Sequence, residues 1–190
     1  MRRESHVRFC ESVGVKLPHA THLVILRQTE AAAIAALREV KAWTTANGLT
    51  LHPDKTRIVD SQQPGQGFDF LGYRFEAGRR LVRKKSLKAF KDKVRAKTIR
   101  SRGDSLTRII ADINPALRGW FGYFKHAAPF QLRNLDRFVR RRLRAVLRKQ
   151  DKRPGFGRCK DDHQRWPNAF FADQGLFTLA TALEHARHSR

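Results

Sequence analysis

Apolar side chains in the last two thirds of the chain recur at helical spacing. Leu87, Phe90 and Val94 form the first stripe and predict a helix from Ser86, with Lys88, Lys91 and Arg95 beside it on the polar face. Ser105 reads as the cap of a second helix whose Leu106, Ile109, Ile110 and Ile113 follow i, i+3, i+4 and i+7. Asn114-Pro115 reads as a cap and first-turn proline, opening a third helix that carries Leu117, Trp120, Phe121 and Phe124. Leu132, Leu135, Val139, Leu143 and Val146 define a fourth, whose outer face is expected to include Arg140, Arg141, Arg142 and Arg144. Four consecutive helices with short loops predict a small bundle.

The first third is patterned differently. Residues 22–26 (HLVIL) are a short run of β-formers, expected to be a buried strand. Thr29 caps a helix with Ala33, Leu37 and Val40 on one stripe, ending at Asn47-Gly48, and residues 55–60 (KTRIVD) predict the next strand. That strand, helix, strand order predicts a compact α/β half-module. Residues 1–19 carry too weak a pattern for assignment. Residues 61–67 (SQQPGQG) form the clearest break in the chain, with turn chemistry and little to pack. Residues 68–75 are expected to be one strand, paired with Leu81 and Val82 across a Glu76-Ala77-Gly78 turn. Gly72 within it suggests a bulge or the close approach of a ligand. Residues 149–163 read as a flexible basic linker, and residues 166–179 as an apolar strap with a short helix. The fold class expected is therefore α+β, mainly α.

Charge changes this picture from fold to partner. Forty Lys and Arg stand against seventeen Asp and Glu, a net charge of +23. Residues 1–60 hold nine basic and six acidic side chains, so +20 falls on the remainder. Residues 79–102 alone carry twelve basic residues and one acid, Asp92. An excess of one sign on this scale opposes compaction unless an anionic partner screens it, and it suits a phosphate backbone better than a small substrate. Cys10 and Cys159 are too far apart in sequence for a disulfide framework or paired-ligand spacing, which favours a reducing, cytoplasmic setting. No window approaches a membrane span.

Four short motifs in a fixed order resemble one family. LTLHPDKT (49–56), FDFLGY (68–73), NPALRGWFGYF (114–124) and RWPNAFF (165–171) are similar to the C-terminal portion of bacterial group II intron reverse transcriptase/maturases, over about residues 20–185. The resemblance implies that residues 1–60 are a remnant of the polymerase palm, 61–85 a primer-grip-like hairpin, 86–150 a helical thumb or maturase-specific domain, and 151–190 a basic linker and C-terminal segment. It places Lys55 and Arg57 near nucleotide or template phosphates and sets Phe70, Leu71, Gly72 and Tyr73 against a primer end. RNA contact is then expected from Arg83, Lys84, Lys85, Lys88, Lys91, Arg95, Lys97, Arg100 and Arg102, and further along from Arg118, Tyr123, Arg140, Arg141 and Arg144. Trp120 belongs to the same thumb, although at helical spacing Trp120, Phe121 and Phe124 read as core, leaving Tyr123 and Arg118 off the stripe for RNA.

The chain departs from that family where catalysis would occur. The family's Tyr/Trp-Ala-Asp-Asp motif precedes a strand like residues 24–26, and here His19, Ala20, Thr21 and His22 stand in its place. A two-metal phosphoryl-transfer site needs anionic oxygen ligands that a hydroxyl and an imidazole do not supply. The expectation is a maturase-like protein that binds group II intron RNA, with a DNA target or cDNA as a further candidate, and that has neither polymerase activity nor a cofactor of its own. The alternatives are one piece of a split RNA-directed DNA polymerase, completed by a separate palm polypeptide and then using Mg²⁺, and a decayed fragment. Residues 1–19 fit a frameshift or fusion. Cys159, Asp161, Asp162 and His163 cluster in sequence but lack the second ligand pair of a zinc site.

Overall fold

The computed structural model describes residues 7–13 and 21–188. The chain divides into two units, Met1–Arg83 and Lys84–Arg190. It is α+β and mainly helical.

In the first unit β1 (Val7–Val13), β2 (Thr21–Arg27) and β3 (Arg57–Asp60) form an antiparallel sheet in the order β2-β1-β3. Residues left unassigned by pattern thus supply the central strand, pairing Val7 with both Arg27 and Asp60. The signal was present as Val7, Phe9 and Val13 at alternate positions, but Glu11 falls among them and interrupts the apolar set. His19 and Ala20 lie outside the described residues. Because β1 runs antiparallel to both neighbours, β2 and β3 are parallel with one strand between them. The expected half-module is therefore split by an inserted strand, and α1 (Glu30–Ala46) makes the crossover. Thr29 Oγ1 accepts from the Ala32 amide at 3.2 Å, Asn47 closes the helix, and Ala33 and Ala36 are its buried apolar contacts.

Residues 68–75 are not one strand. β4 (Gly67–Phe70), β5 (Tyr73–Glu76) and β6 (Arg79–Val82) form an antiparallel meander. Leu71 and Gly72 are the turn, both at positive φ (46° and 77°), as are Ala77 and Gly78 at the second turn (50° and 67°). Two-residue turns with both central residues left-handed match the twist of the strands they join, so Gly72 serves backbone geometry there. Phe68 and Phe75 face each other across the pair with rings 5.0 Å apart. A Cβ on Gly67 would collide with the Phe75 carbonyl oxygen. The 61–67 segment is tied down: the Gly65 amide donates to Glu76 Oε1 at 2.8 Å and the Gly78 amide to the Ser61 carbonyl at 3.0 Å.

The second unit is a helical bundle built on α2 (Lys84–Lys97), α3 (Leu106–Phe124) and α4 (Pro129–Gln150). α2 begins two residues earlier than the apolar stripe indicates. α3 is one helix of 19 residues with Pro115 inside it, where pattern alone suggested two. Proline removes one donor, to the carbonyl four residues back, but Ala111 is on the exposed side where that carbonyl meets water. Asn114 caps nothing. Its Nδ2 donates to the Gly175 carbonyl at 2.8 Å and its Oδ1 accepts from the Phe177 amide at 2.9 Å, clamping a distant loop.

The chain after α4 completes the bundle. Residues 151–159 are no flexible linker: a Cβ on Gly157 would lie 2.7 Å from the Ala145 amide, so the segment packs directly on α4. The chain continues through α5 (Lys160–Arg165) and α6 (Asn168–Asp173) into α7 (Leu179–His188), which packs on α3 and α4. Asp136 of α4 accepts from the Leu179 and Ala180 amides at 2.9 Å each, capping α7. Trp166, Phe171, Leu176, Leu179 and Leu183 join Phe90, Val94, Ile109, Ile110, Ile113, Leu117 and the α4 stripe in one core. Phe171→Ala removes a ring with no exposed surface and is expected to cost about 3–5 kcal/mol of stability, read from urea unfolding; a loss under 1 kcal/mol would show that the C-terminal segment is no part of the core.

Candidate nucleic-acid interface

Helical spacing determines which α2 cations share a face. Lys84, Lys88, Lys91 and Arg95 stand at i, i+4, i+7 and i+11, one stripe flanking the buried Phe90 and Val94. Lys84, Lys85, Lys88 and Arg95 are exposed, and Lys91 and Lys97 are half-buried. Asp92, the sole acid of the helix, accepts from Lys88 Nζ at 2.9 Å and from Arg95 Nη1 at 2.6 Å. Those two hydrogen bonds hold its carboxyl below the usual range. One carboxylate thus serves two cations and the stripe keeps a positive excess.

The half-buried Phe138 ring of α4 gathers three cations. Lys91 Nζ lies 5.9 Å, the Arg95 guanidinium 5.4 Å and the Arg141 guanidinium 5.5 Å from its centroid. Each distance is within cation–π range. Three expected contact residues are therefore brought together. Phe138 itself carried no signal in the sequence, since its position beside the α4 stripe reads as ordinary core edge.

Other arginines of the same run are spent on the fold. Arg144 is 2% exposed, not outward-facing as its position in the run suggested. Its Nε donates to the Trp166 carbonyl at 2.9 Å and its Nη2 to Asn168 Oδ1 at 3.1 Å, with the guanidinium 5.2 Å from the Phe171 ring. Burial lowers its pKa, and Arg140 adds to that. Arg142 donates to Thr98 Oγ1 at 3.0 Å and to the Thr98 carbonyl at 2.5 Å, joining α4 to the end of α2. Arg100 donates to the Ala145 and Gly155 carbonyls at 3.1 and 2.9 Å and covers the Phe156 ring. Arg102 pairs with Asp104 at 2.8 Å. Arg140 is half-buried beside Asp136, and desolvation lowers its pKa.

On α3, Arg118 is exposed and lies 5.1 Å from the Phe177 ring, and Tyr123 is 54% exposed. Trp120 packs at a tilt, 4.7 Å from both the Phe90 and Phe124 rings, as its core spacing implied.

The first unit holds the remaining candidates. Lys55, in the turn before β3, and Arg57, its first residue, are both exposed. Leu71 is 65% exposed at the tip of the β4–β5 turn beside Gly72, Phe70 is half-buried, and Tyr73 is buried. The Arg83 amide donates to the Gly72 carbonyl at 2.9 Å, and its Nε is enclosed without a partner. Thr21 and His22 open β2 and bring no carboxylate to it. Among the described residues no three His, Cys, Asp or Glu side chains are disposed to hold a metal ion.

Around Cys159 the cluster is an internal brace. Asp162, with no exposed surface, accepts from Arg148 Nη1 at 2.6 Å and from Cys159 Sγ at 3.0 Å. Burial alone would raise its pKa, but the thiol and guanidinium outweigh that and lower it. Among the described residues no helix is long and apolar enough to cross a membrane.

A family model for the group II intron, maturase-specific domain, matches residues 87–166, from the first turn of α2 to Trp166. No curated protein matches the chain.

Two expectations follow from this division of labour. Arg144→Ala strips charged donors from the carbonyl of the buried Trp166 and from Asn168 Oδ1 and is expected to cost about 1.5–3 kcal/mol, measured by chemical denaturation, whereas Arg118→Ala should leave stability within about 0.5 kcal/mol. Because the folded Asp162 pKa lies below the unfolded carboxylate value of about 3.9, its contribution is present above that pH and lost as pH falls through the folded value. The gap in melting temperature between wild type and Asp162→Asn is therefore expected to be widest near neutrality and to close on acidification.

Proposed function

Because its helical unit carries a group II intron maturase-specific domain, we propose that this protein binds the folded intron RNA and stabilises the structure in which the RNA itself performs splicing. The observation that carries the reading is the α2 stripe of Lys84, Lys88, Lys91 and Arg95, which has Asp92 as its one acid and continues into Arg141 on α4. Such a surface acts by releasing condensed counterions and by fitting backbone shape, and it needs no protein-catalysed step.

Without carboxylates at Thr21 and His22 the chain supplies no anionic pair for a metal-dependent polymerase centre at that position, and in this reading it does not polymerise nucleotides. A second reading draws support from the first unit. Leu23, Leu26, Ile34 and Trp43 expose 39%, 47%, 37% and 62% of their surface, an apolar set suited to a separate palm polypeptide that would complete a Mg²⁺-dependent split polymerase. Nucleotide incorporation on addition of such a polypeptide separates the two readings.

Changing Lys84, Lys85, Lys88 and Lys91 together to Ala is expected to weaken intron RNA binding with helicity retained by circular dichroism; loss of helicity would mean these side chains pack instead of contacting RNA. If about six to ten cations meet phosphates, wild-type affinity should fall by about 10³–10⁵ between low and moderate salt. A flat salt dependence in filter binding contradicts the reading, and equal affinity for intron and unrelated RNA of the same length favours a decayed fragment.

A further inference from the structure

We propose that Lys91, Arg95 and Arg141, gathered around the Phe138 ring where α2 faces α4, form a cradle for two or more closely spaced phosphates of a sharply folded RNA strand, with Arg158 at its edge. The proposal rests on the RNA-binding reading above and names the feature of RNA that this one surface selects.

Geometry supports it first. All three cationic groups lie within 5.9 Å of one ring centroid, so no two are farther apart than two such radii. The ring acts as a fixed post, because Phe138 is half-buried against the core on α4 and can hold cations over its π-cloud without neutralising them.

Charge supports it independently. Lys88, Lys91, Arg95, Arg141 and Arg158 are five cations, and Asp92 is their one acid among the described residues, a net of +4. Burial disfavours the Arg141 cation, and repulsion from Arg158 and Arg95 adds to that; a bound anion would offset the repulsion. A single phosphodiester cannot neutralise such a net charge, whereas phosphates crowded by a tight bend can.

The neighbouring arginines provide a contrast. Arg100, Arg142 and Arg144 direct their donors to protein acceptors: the Ala145 and Gly155 carbonyls, Thr98, the Trp166 carbonyl and Asn168. Among the described residues Arg141 has neither a carboxylate nor a carbonyl partner, and its fork is free for bidentate contact with phosphate oxygens.

The test compares a structured hairpin RNA with oligouridine of equal length, by fluorescence anisotropy over a salt series. Changing Arg141 and Arg158 together to Ala is expected to weaken hairpin binding by about tenfold or more and to lower the salt slope by about two, with oligouridine affected less than about threefold. Phe138→Leu, which keeps an apolar side chain, should lose part of the same preference. Should the double variant melt early, Arg158→Ala alone, at an exposed position, should lower the hairpin slope by about one. Unchanged hairpin affinity and slope, while the variant lacking Lys84, Lys85, Lys88 and Lys91 still loses binding, overturns the cradle and leaves the RNA-binding reading intact. Equal loss for both RNAs overturns the selection of folded strands. Wild-type protein that binds neither RNA overturns the cradle, and failure to bind intron RNA as well overturns the reading beneath it.

Discussion

Twenty-seven Lys and Arg against nine Asp and Glu is the constraint to which the second unit answers. An imbalance of that size cannot be relieved by ion pairing, since most arginines and lysines must go without an acid. Helix α4 shows how the fold responds. Its apolar stripe of Leu132, Leu135, Val139, Leu143 and Val146 supplies the centre of the core, and its arginines are then sorted by what lies opposite each. Arg144 and Arg142 meet carbonyls and hydroxyls, which accept hydrogen bonds without a matching charge. Carbonyl acceptors let a cation be placed inside the protein when acids are scarce, although burial still lowers its pKa. Arg148 is the exception that takes an acid, Asp162, and that pair fastens the 151–165 segment to the helix.

The same sorting leaves a residue of unspent cations on α2 and around Phe138. Structural arginines and contact arginines are one turn apart on α4: Arg141 faces Phe138 and Arg95, and Arg144 and Arg148 face the C-terminal segment. Residues at this spacing share a stripe of the helix, and what separates them is the partner each long side chain reaches: the Phe138 ring for Arg141, and the Trp166 carbonyl, Asn168 and Asp162 for Arg144 and Arg148. Fold and binding surface are therefore coupled, since the core that buries Phe171 beneath Arg144 also sets the rotation of α4 that presents Arg141.

Legibility in the sequence followed the reach of the interactions. Thr29 and Ser105 as caps, the α2 and α4 stripes and the α3 core positions were readable because helix signals are local, within four residues. Three features were not. Pro115 read as a helix start, but α3 runs through it, and Asn114 beside it clamps a loop 61 residues later instead of capping. The segment after Gln150 read as a linker from its Lys, Gly and Pro content, and only the close packing of Gly157 on α4 shows otherwise. Leu71-Gly72 read as mid-strand, since a Leu at positive φ is a position few sequences announce. For the interface, the excess of charge was plain in composition, but its division between inward and outward arginines depended on acceptors more than twenty residues away.

The matched family segment ends at Trp166, and yet Phe171, Leu176, Leu179 and Leu183 belong to the same core. The domain that carries the cationic surface therefore closes only with the helix beyond it. Asp136 makes that closure specific. Burial raises its pKa although two α7 amides favour the ionised form, so a desolvated carboxylate is held on α4 to receive one particular helix end. A group kept at such a cost fixes which surface α7 covers. It seats α7 on α3 and α4, while Phe138 and Arg141 of the same α4 meet Lys91 and Arg95 of α2.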